Sequence, residues 1–145
     1  MPSSSVFVQA RYRRSIYIGA FASRIQLRGA LRVEGDVLTL DYRERWRSPI
    51  TLRMVEGKPQ RVSAPCASLG DIEIVPRLLG GQWLTLREVA FEALRAWPGA
   101  RNGVCRFHVV GATRQAVAEA TSELALAVAE SQLRIAERSA DEAER

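Results

Sequence analysis

The chain has 145 residues, of which 47% are apolar. This is enough for one domain with a real hydrophobic core and too little for two comfortable ones. No apolar run approaches the roughly 20 residues of a membrane span, and the first residues lack the apolar core of a secretory signal. We therefore expect a single cytoplasmic domain.

The net charge of +5 is unevenly distributed along the chain. Residues 1–61 carry 12 bases and 5 acids, whereas residues 113–145 carry 4 bases and 7 acids. A basic front and an acidic tail indicate an anionic partner, or attraction between the front of one subunit and the tail of another. Because 20 of the 21 bases are Arg, genomic base composition is an alternative explanation.

The first half of the chain has the alternation of an antiparallel sheet. Residues 1–23 contain two short β-prone runs, 6–8 and 16–21, separated by Arg11 to Arg14, and we expect first strands or an entering arm there. From Ile25 to Tyr42 apolar and polar residues alternate around the turn signal Glu34-Gly35-Asp36, which predicts a hairpin with one buried face. The remaining predicted strands lie in residues 50–54, 61–64, 72–75 and 104–110.

Residues 85–97 fit two interpretations. Thr85 and Glu88 have the spacing of a capping box, and apolar residues continue at helical steps to Trp97 before Pro98. Yet Trp83 onward also alternates like a strand. We predict a strand to about residue 87, followed by a short helix or helical turn that ends at Trp97.

The last third of the chain, residues 112–145, predicts one long helix that begins at the N-cap Thr113. One apolar stripe can close the core: Val117, Thr121, Leu124, Val128 and Ile135. A second stripe lies roughly 180° around the helix: Leu126, Ala129, Leu133, Ala136, Ala140 and Ala143. We expect Leu126, Ala129, Leu133 and Ala136 to contact a second copy of the chain or another protein. The alternative is that two leucines are simply exposed on an Ala-rich surface.

Six segments in order resemble the small bacterial pleckstrin-homology-like (PH-like) proteins: GALRVEGDVLTLDYR, VSAPCASLGDIEIV, LTLR, WPGAR, GVCRFHVV and TRQAVAEATSELALAV. The resemblance covers about residues 24–130 and leaves 131–145 as a charged extension of the helix. It implies an α+β fold, an antiparallel, partly closed β-barrel plugged by the C-terminal helix. It also implies a scaffold that binds proteins, lipids or peptides without catalytic residues. The turn 34–36 is short and acidic where lipid-binding members have a basic loop, which argues against phosphoinositide binding.

The residue types that carry catalysis are sparse. The one histidine, His108, alternates onto the outer face of its strand beside Arg106, and Asp71 and Glu73 read as exposed strand acids. No arrangement of a nucleophile with a base, or of metal ligands, emerges. We expect no enzyme activity, cofactor or metal. Cys66 and Cys105 lie among small or apolar residues and are expected to be buried, reduced thiols.

Two functions remain from the residues alone. The first is a non-catalytic binding or assembly module that uses its helix for self-association or partner docking. The second is nucleic-acid or acidic-ligand binding by arginines interleaved with aromatics: Arg11, Arg13, Arg14, Arg43, Arg45 and Arg47, near Tyr12, Tyr17 and Trp46. Trp46 points away from the face that Arg43, Arg45 and Arg47 share, so no single platform is expected. A solvated Arg face that covers apolar surface is the simpler account.

Overall fold

A computed structural model describes residues 5–15, 22–77 and 81–145. Eight strands, one 3₁₀ helix and one long helix make up this part of the chain. The strands are β1 (Val6–Ser15), β2 (Ala22–Glu34), β3 (Val37–Arg47), β4 (Met54–Glu56), β5 (Gln60–Pro65), β6 (Glu73–Pro76), β7 (Gln82–Arg87) and β8 (Val104–Val110). The 3₁₀ helix spans Cys66–Ser68, and the helix α1 spans Arg114–Ala143. The predicted α+β class, an antiparallel sheet followed by one long helix, is confirmed.

All pairings between these strands are antiparallel, in the order β4-β3-β2-β1-β8-β7-β6, and β5 pairs with β3 beside β4. The sheet stays open, since the described part of β6 does not pair with β4 or β5. The chain after β5 is instead held to the end of β7. Leu69 bridges Glu88, and the Gly70 N–H donates to the Arg87 carbonyl at 2.9 Å.

The N-terminal segment lies inside the sheet. β1 continues through the basic residues Arg11 to Arg14 and pairs with β2 on one side and β8 on the other. The prediction of two short runs separated by these residues was therefore wrong in its first part, and the second run, 16–21, lies outside the described residues. Alternation hid the continuity because the basic residues fall on both faces of one long strand.

The predicted strand from Ile50 begins too early. The Ser48 side chain accepts hydrogen bonds from the backbone N–H groups of Ile50 and Thr51, each at 3.3 Å, and thereby shapes a turn after β3. Leu52 has a positive φ of 60°, which a strand does not allow. Only Met54 and the two residues that follow belong to β4.

The ambiguous segment 85–97 divides where expected. β7 ends at Arg87, and consecutive turns follow. In these turns the Ala93 N–H donates to the Ala90 carbonyl, and the Trp97 N–H donates to the Leu94 carbonyl. Thr85 is buried in β7 and is not a helix cap. The Glu88 carboxylate does bind a backbone group, because it accepts from the Leu94 N–H at 3.0 Å.

The hairpin of β2 and β3 has its predicted turn, since Glu34 pairs with Val37 and Gly35 adopts a positive φ of 61°. Alternate residues of the strands enter one core beneath α1. This core includes Leu27, Leu31, Leu38, Leu40, Leu84, Leu86, Phe107 and Leu124. Both cysteines are free and buried, as predicted, and burial raises the pKa of Cys105 to about 12.

The helix follows its predicted stripes. The Thr113 side chain accepts from the Ala116 N–H at 3.0 Å and caps the helix. The first stripe is buried except for Ile135, which is half-buried, and Ser131 is buried beside it. The predicted boundaries at 23/24 and 130/131 fall within β2 and α1 respectively. Within the described ranges, no helix combines the length and apolar character needed to cross a membrane.

Candidate functional site

Strand register gathers arginines from β1, β2 and β3 on the outer face of the sheet. Arg11 lies opposite Gln26, which in turn lies opposite Arg45. Residues directly opposite each other, or two apart on a strand, share a face. The members of this arginine face are all exposed: Arg11, Arg13, Arg24, Arg28, Arg43 and Arg45. The predicted contacts Arg11, Arg13, Arg43 and Arg45 thus come together with two arginines that the prediction did not include.

The arginine face has few acids beside it, and the nearest in register is Glu56 of β4, which lies opposite Arg45. Across the described ranges, none of its six guanidinium groups forms an ion pair. Farther along the same face, Asp41 contacts Arg61 at 2.6 Å and Arg32 at 2.7 Å, and these two contacts lower the pKa of Asp41. One end of the sheet is therefore held by ion pairs, whereas the other presents an excess of positive charge, with six arginines beside the single acid Glu56.

Arg14 differs from the rest of the predicted set, whereas Arg47 lies beside the arginine face. Arg14 alternates to the inner face, where it contacts the carboxylate of Glu44 at 2.9 Å. Arg47 is exposed and shares the face of Arg43 and Arg45 at the end of β3. Trp46 points to the other side, as predicted, and its indole N–H has no partner among the described residues.

Glu44 is a buried acid that sequence reasoning missed. Its side chain is 1% exposed and accepts from the Tyr12 hydroxyl and, at 3.1 Å, from the Gln60 amide. Burial raises the pKa of this carboxyl, and the hydrogen bond from Gln60 opposes the shift. Because both of its carboxylate oxygens already have partners, Glu44 serves to hold β1 against β3 and β5. The signal in the sequence that could have identified it is a single acid at an inward-facing position of a strand whose residues alternate between the two faces.

A second cluster lies where β1, β7 and β8 meet. The guanidinium of Arg77 lies 4.8 Å from the centre of the Trp83 ring, and that of Arg106 lies 5.9 Å away. The His108 ring lies 5.8 Å from the same indole. Together with Arg11 and other residues, these side chains line an open cleft of about 670 Å³. We call this the Trp83 cleft.

The Trp83 cleft continues the arginine face. Arg43 pairs with Arg28, Arg28 with Gln9, Gln9 with His108 and His108 with Trp83, so one cross-strand row joins the two sites. His108 lies on the outer face, as predicted, and is half-buried. Burial and the nearby Arg77 charge lower its pKa. Sequence reasoning missed the cleft because Arg77, Trp83 and Arg106 meet only through strand pairing.

The second helix stripe is exposed. Leu126 is 59% and Leu133 is 60% exposed, and the intervening Ala129 and the following Ala136 are exposed as well. Because the first stripe packs against the inner side of the sheet, the second faces away from it. The arginine face and the helix stripe are therefore separate surfaces.

The described part of the chain contains no group of three or more His, Cys, Asp or Glu side chains that could hold a metal ion. Comparison with protein-family models, with curated proteins and with solved structures finds no match to this chain.

Proposed function

We propose that this protein is a non-catalytic binding module that binds single-stranded nucleic acid on its arginine face. The observation that carries the proposal is the set of six exposed guanidinium groups on three adjacent strands, none of which forms an ion pair with a described acid. Arginine binds phosphate oxygens in a bidentate manner and stays charged at any physiological pH. Bringing six like charges together beside only one acid, Glu56, is unfavourable unless a further anion accompanies them.

The shape of the arginine face favours a polymer over a small acid. Neighbouring strands are spaced about 4.8 Å apart and alternate residues about 6.6 Å, so the six groups are spread over a surface instead of converging on one point. A chain of phosphates can contact several of them at once, and each contact releases bound counterions. Trp83, at the end of the same cross-strand row, places an aromatic ring beside this path.

We also propose that the fold is PH-like. The strand order, with β1 between two meanders, and the closing helix packed on the inner side of the sheet support this proposal. Such a scaffold would present the arginine face on its outer surface without a catalytic centre. A cytoplasmic location remains a prediction from the sequence.

The test is fluorescence anisotropy with a labelled single-stranded oligonucleotide of about 20 nucleotides, measured from low to moderate salt. We expect affinity to fall steeply with salt, and the double variant Arg28→Gln with Arg43→Gln to bind more weakly. The logarithmic salt slope should become shallower by about 0.7 for each phosphate that the variant no longer neutralises. The matched control, Arg138→Gln with Arg145→Gln, removes two charges from the end of the helix and should retain most of the affinity. A flat salt response, or an equal loss of affinity in the control, would overturn the proposal.

A second candidate function is self-association through the helix stripe. The specific observation is the exposure of Leu126 and Leu133 on one face of α1, with small Ala129 between them. Burying each leucine would contribute about 1.5–3 kcal/mol before the entropic cost of association. Light scattering on the purified protein tests it, because a monomer at high concentration would exclude this interface. Since the two surfaces are formed by different elements, association through the helix stripe does not require the arginine face.

A further inference from the structure

We infer that the Trp83 cleft binds a phosphomonoester, the terminal phosphate of a nucleic-acid strand. The inference rests on the proposed function, because the strand that carries this phosphate is the one held by the arginine face. It adds a site of different shape, which shares Arg11 with the arginine face, and a preference among nucleic acids that the arginine face alone would not produce.

Four cations from four segments of the chain line the cleft. Arg11 comes from β1, Arg106 from β8, Arg77 from the chain after β6, and Arg101 from the turn before β8. The lining residues include neither Asp nor Glu, and none of these four arginines forms an ion pair with an acid in the described ranges. In contrast with the arginine face, these charges surround a concavity and can act on one ligand.

Trp83 positions two of these cations. The face of an indole ring carries negative potential and attracts guanidinium groups, and Arg77 and Arg106 both lie over the Trp83 ring within 6 Å of its centre. This contact leaves the N–H groups of a guanidinium able to donate to phosphate oxygens. It also restricts two long side chains before the ligand arrives, which reduces the entropic cost of binding. Trp83 is thus a positioning residue for the arginines.

The number of charges favours a terminal phosphate over an internal one. A phosphodiester within a strand carries one negative charge, whereas a phosphomonoester carries between about 1.5 and 2 at pH 7 and offers three acceptor oxygens. Four convergent arginines match the larger charge. The volume of about 670 Å³ is in the range of small-molecule sites and has room for the attached sugar and base.

The cross-strand row gives the phosphate a route to the cleft. Arg28 and Gln9 connect Arg43, at the far side of the arginine face, with His108 beside Trp83. A strand lying along this row would contact the arginine face with its internal phosphates and end in the cleft. Both sites would then be occupied by one molecule.

The experiment compares three labelled oligonucleotides of one sequence, carrying a 5′-phosphate, a 3′-phosphate or no terminal phosphate. We expect one phosphorylated form to bind about tenfold more tightly than the unphosphorylated one, as one additional set of charge-assisted hydrogen bonds would produce. Inorganic phosphate should abolish this preference at concentrations that leave the unphosphorylated strand bound.

Two double variants separate the sites. Arg77→Gln with Arg106→Gln should remove the preference while leaving the binding of the unphosphorylated strand largely unchanged. Arg28→Gln with Arg43→Gln should weaken the binding of all three oligonucleotides and keep the preference for the phosphorylated form. Circular dichroism checks that both variants are folded, and the exposure of all four side chains favours this.

Equal binding of the three strands by the unmodified protein would overturn the inference and leave the proposed function intact. A preference for the phosphorylated form that survives in the Arg77 and Arg106 variant would also overturn the inference and leave the proposed function intact. If none of the three strands binds, the proposed function itself fails, and the inference fails with it.

Discussion

Ser131 donates a hydrogen bond of 2.8 Å to the carboxylate of Asp36, 95 residues earlier in the chain. Asp36 lies in the turn between β2 and β3, so this bond attaches the middle of α1 to the tip of the hairpin. The backbone carbonyl of Asp36 also accepts from the Cys66 N–H at 2.9 Å. One turn residue thus connects the hairpin, the 3₁₀ helix and the long helix.

This relationship predicts a dependence of stability on pH. The hydrogen bond from Ser131, followed by that from Arg134, lowers the pKa of Asp36 below its ordinary value. A carboxyl with a lowered folded-state pKa stabilises the fold fully above its unfolded pKa of about 3.9 and loses that contribution as the pH falls through the folded value. We expect Asp36→Asn to lower the melting temperature at pH 7 and to have a smaller effect near pH 2.

Thermal unfolding followed by circular dichroism between pH 2 and 7 measures this difference. Asp71→Asn, an exposed acid elsewhere on the surface, is the control and should melt like the unmodified protein throughout. An Asp36→Asn variant whose melting temperature differs by the same amount at both ends of the pH range would contradict the assigned role of the carboxylate.

The two sides of α1 predict opposite responses to the same substitution. Leu124 is buried in the core, whereas Leu126 is 59% exposed. Leu124→Ala should destabilise the protein by about 2–5 kcal/mol, because it removes buried apolar surface and leaves a cavity. Leu126→Ala should change the stability of the monomer by less than about 0.5 kcal/mol. Urea unfolding at low protein concentration measures both, and similar decreases in stability would mean that the helix packs differently.

The exposed stripe predicts how self-association responds to charge. Leu126→Glu with Leu133→Glu should abolish association, since four carboxylates would be brought into one apolar contact. The control places glutamates at Val89 and Phe91, which are also exposed but lie in the turns after β7. Light scattering should give a monomer for the helix variant and an unchanged mass for the control. The same assembly in all three proteins would refute the interface.

Two glycines of the hairpin predict different costs for an added methyl group. A Cβ at Gly29 would lie 2.5 Å from the Asp41 backbone oxygen, so β2 and β3 must move apart, at a cost of about 2–3 kcal/mol. A Cβ at Gly35 would meet nothing within 4 Å, and only its positive φ of 61° is unfavourable, at about 1 kcal/mol. Chemical denaturation of Gly29→Ala and Gly35→Ala should give this order. The reverse order would contradict the register of the hairpin.

Local sequence pattern was sufficient for the elements whose signal is periodic. Alternation predicted the hairpin from Ile25 to Tyr42 and its turn, and the helical period predicted both stripes of α1 with the cap at Thr113. These predictions succeeded because a strand or helix imposes its repeat directly on the residues that it buries. The buried cysteines were predicted on a different ground, namely their small or apolar neighbours in the sequence.

Tertiary structure alone decided which distant residues meet. Arg11 and Arg45 share a face because β2 lies between their strands, and Arg77 lies over Trp83 because β6 pairs with β7. The ion pair between Arg14 and Glu44 likewise depends on how the strands are arranged in the sheet. The periodicity of a strand specifies its two faces but not its neighbours or its register, which depend on packing of the whole chain. The sequence by itself therefore determined the hairpin, the long helix and their buried sides, and the fold determined the full extent of β1 and β4 and the surfaces that could bind.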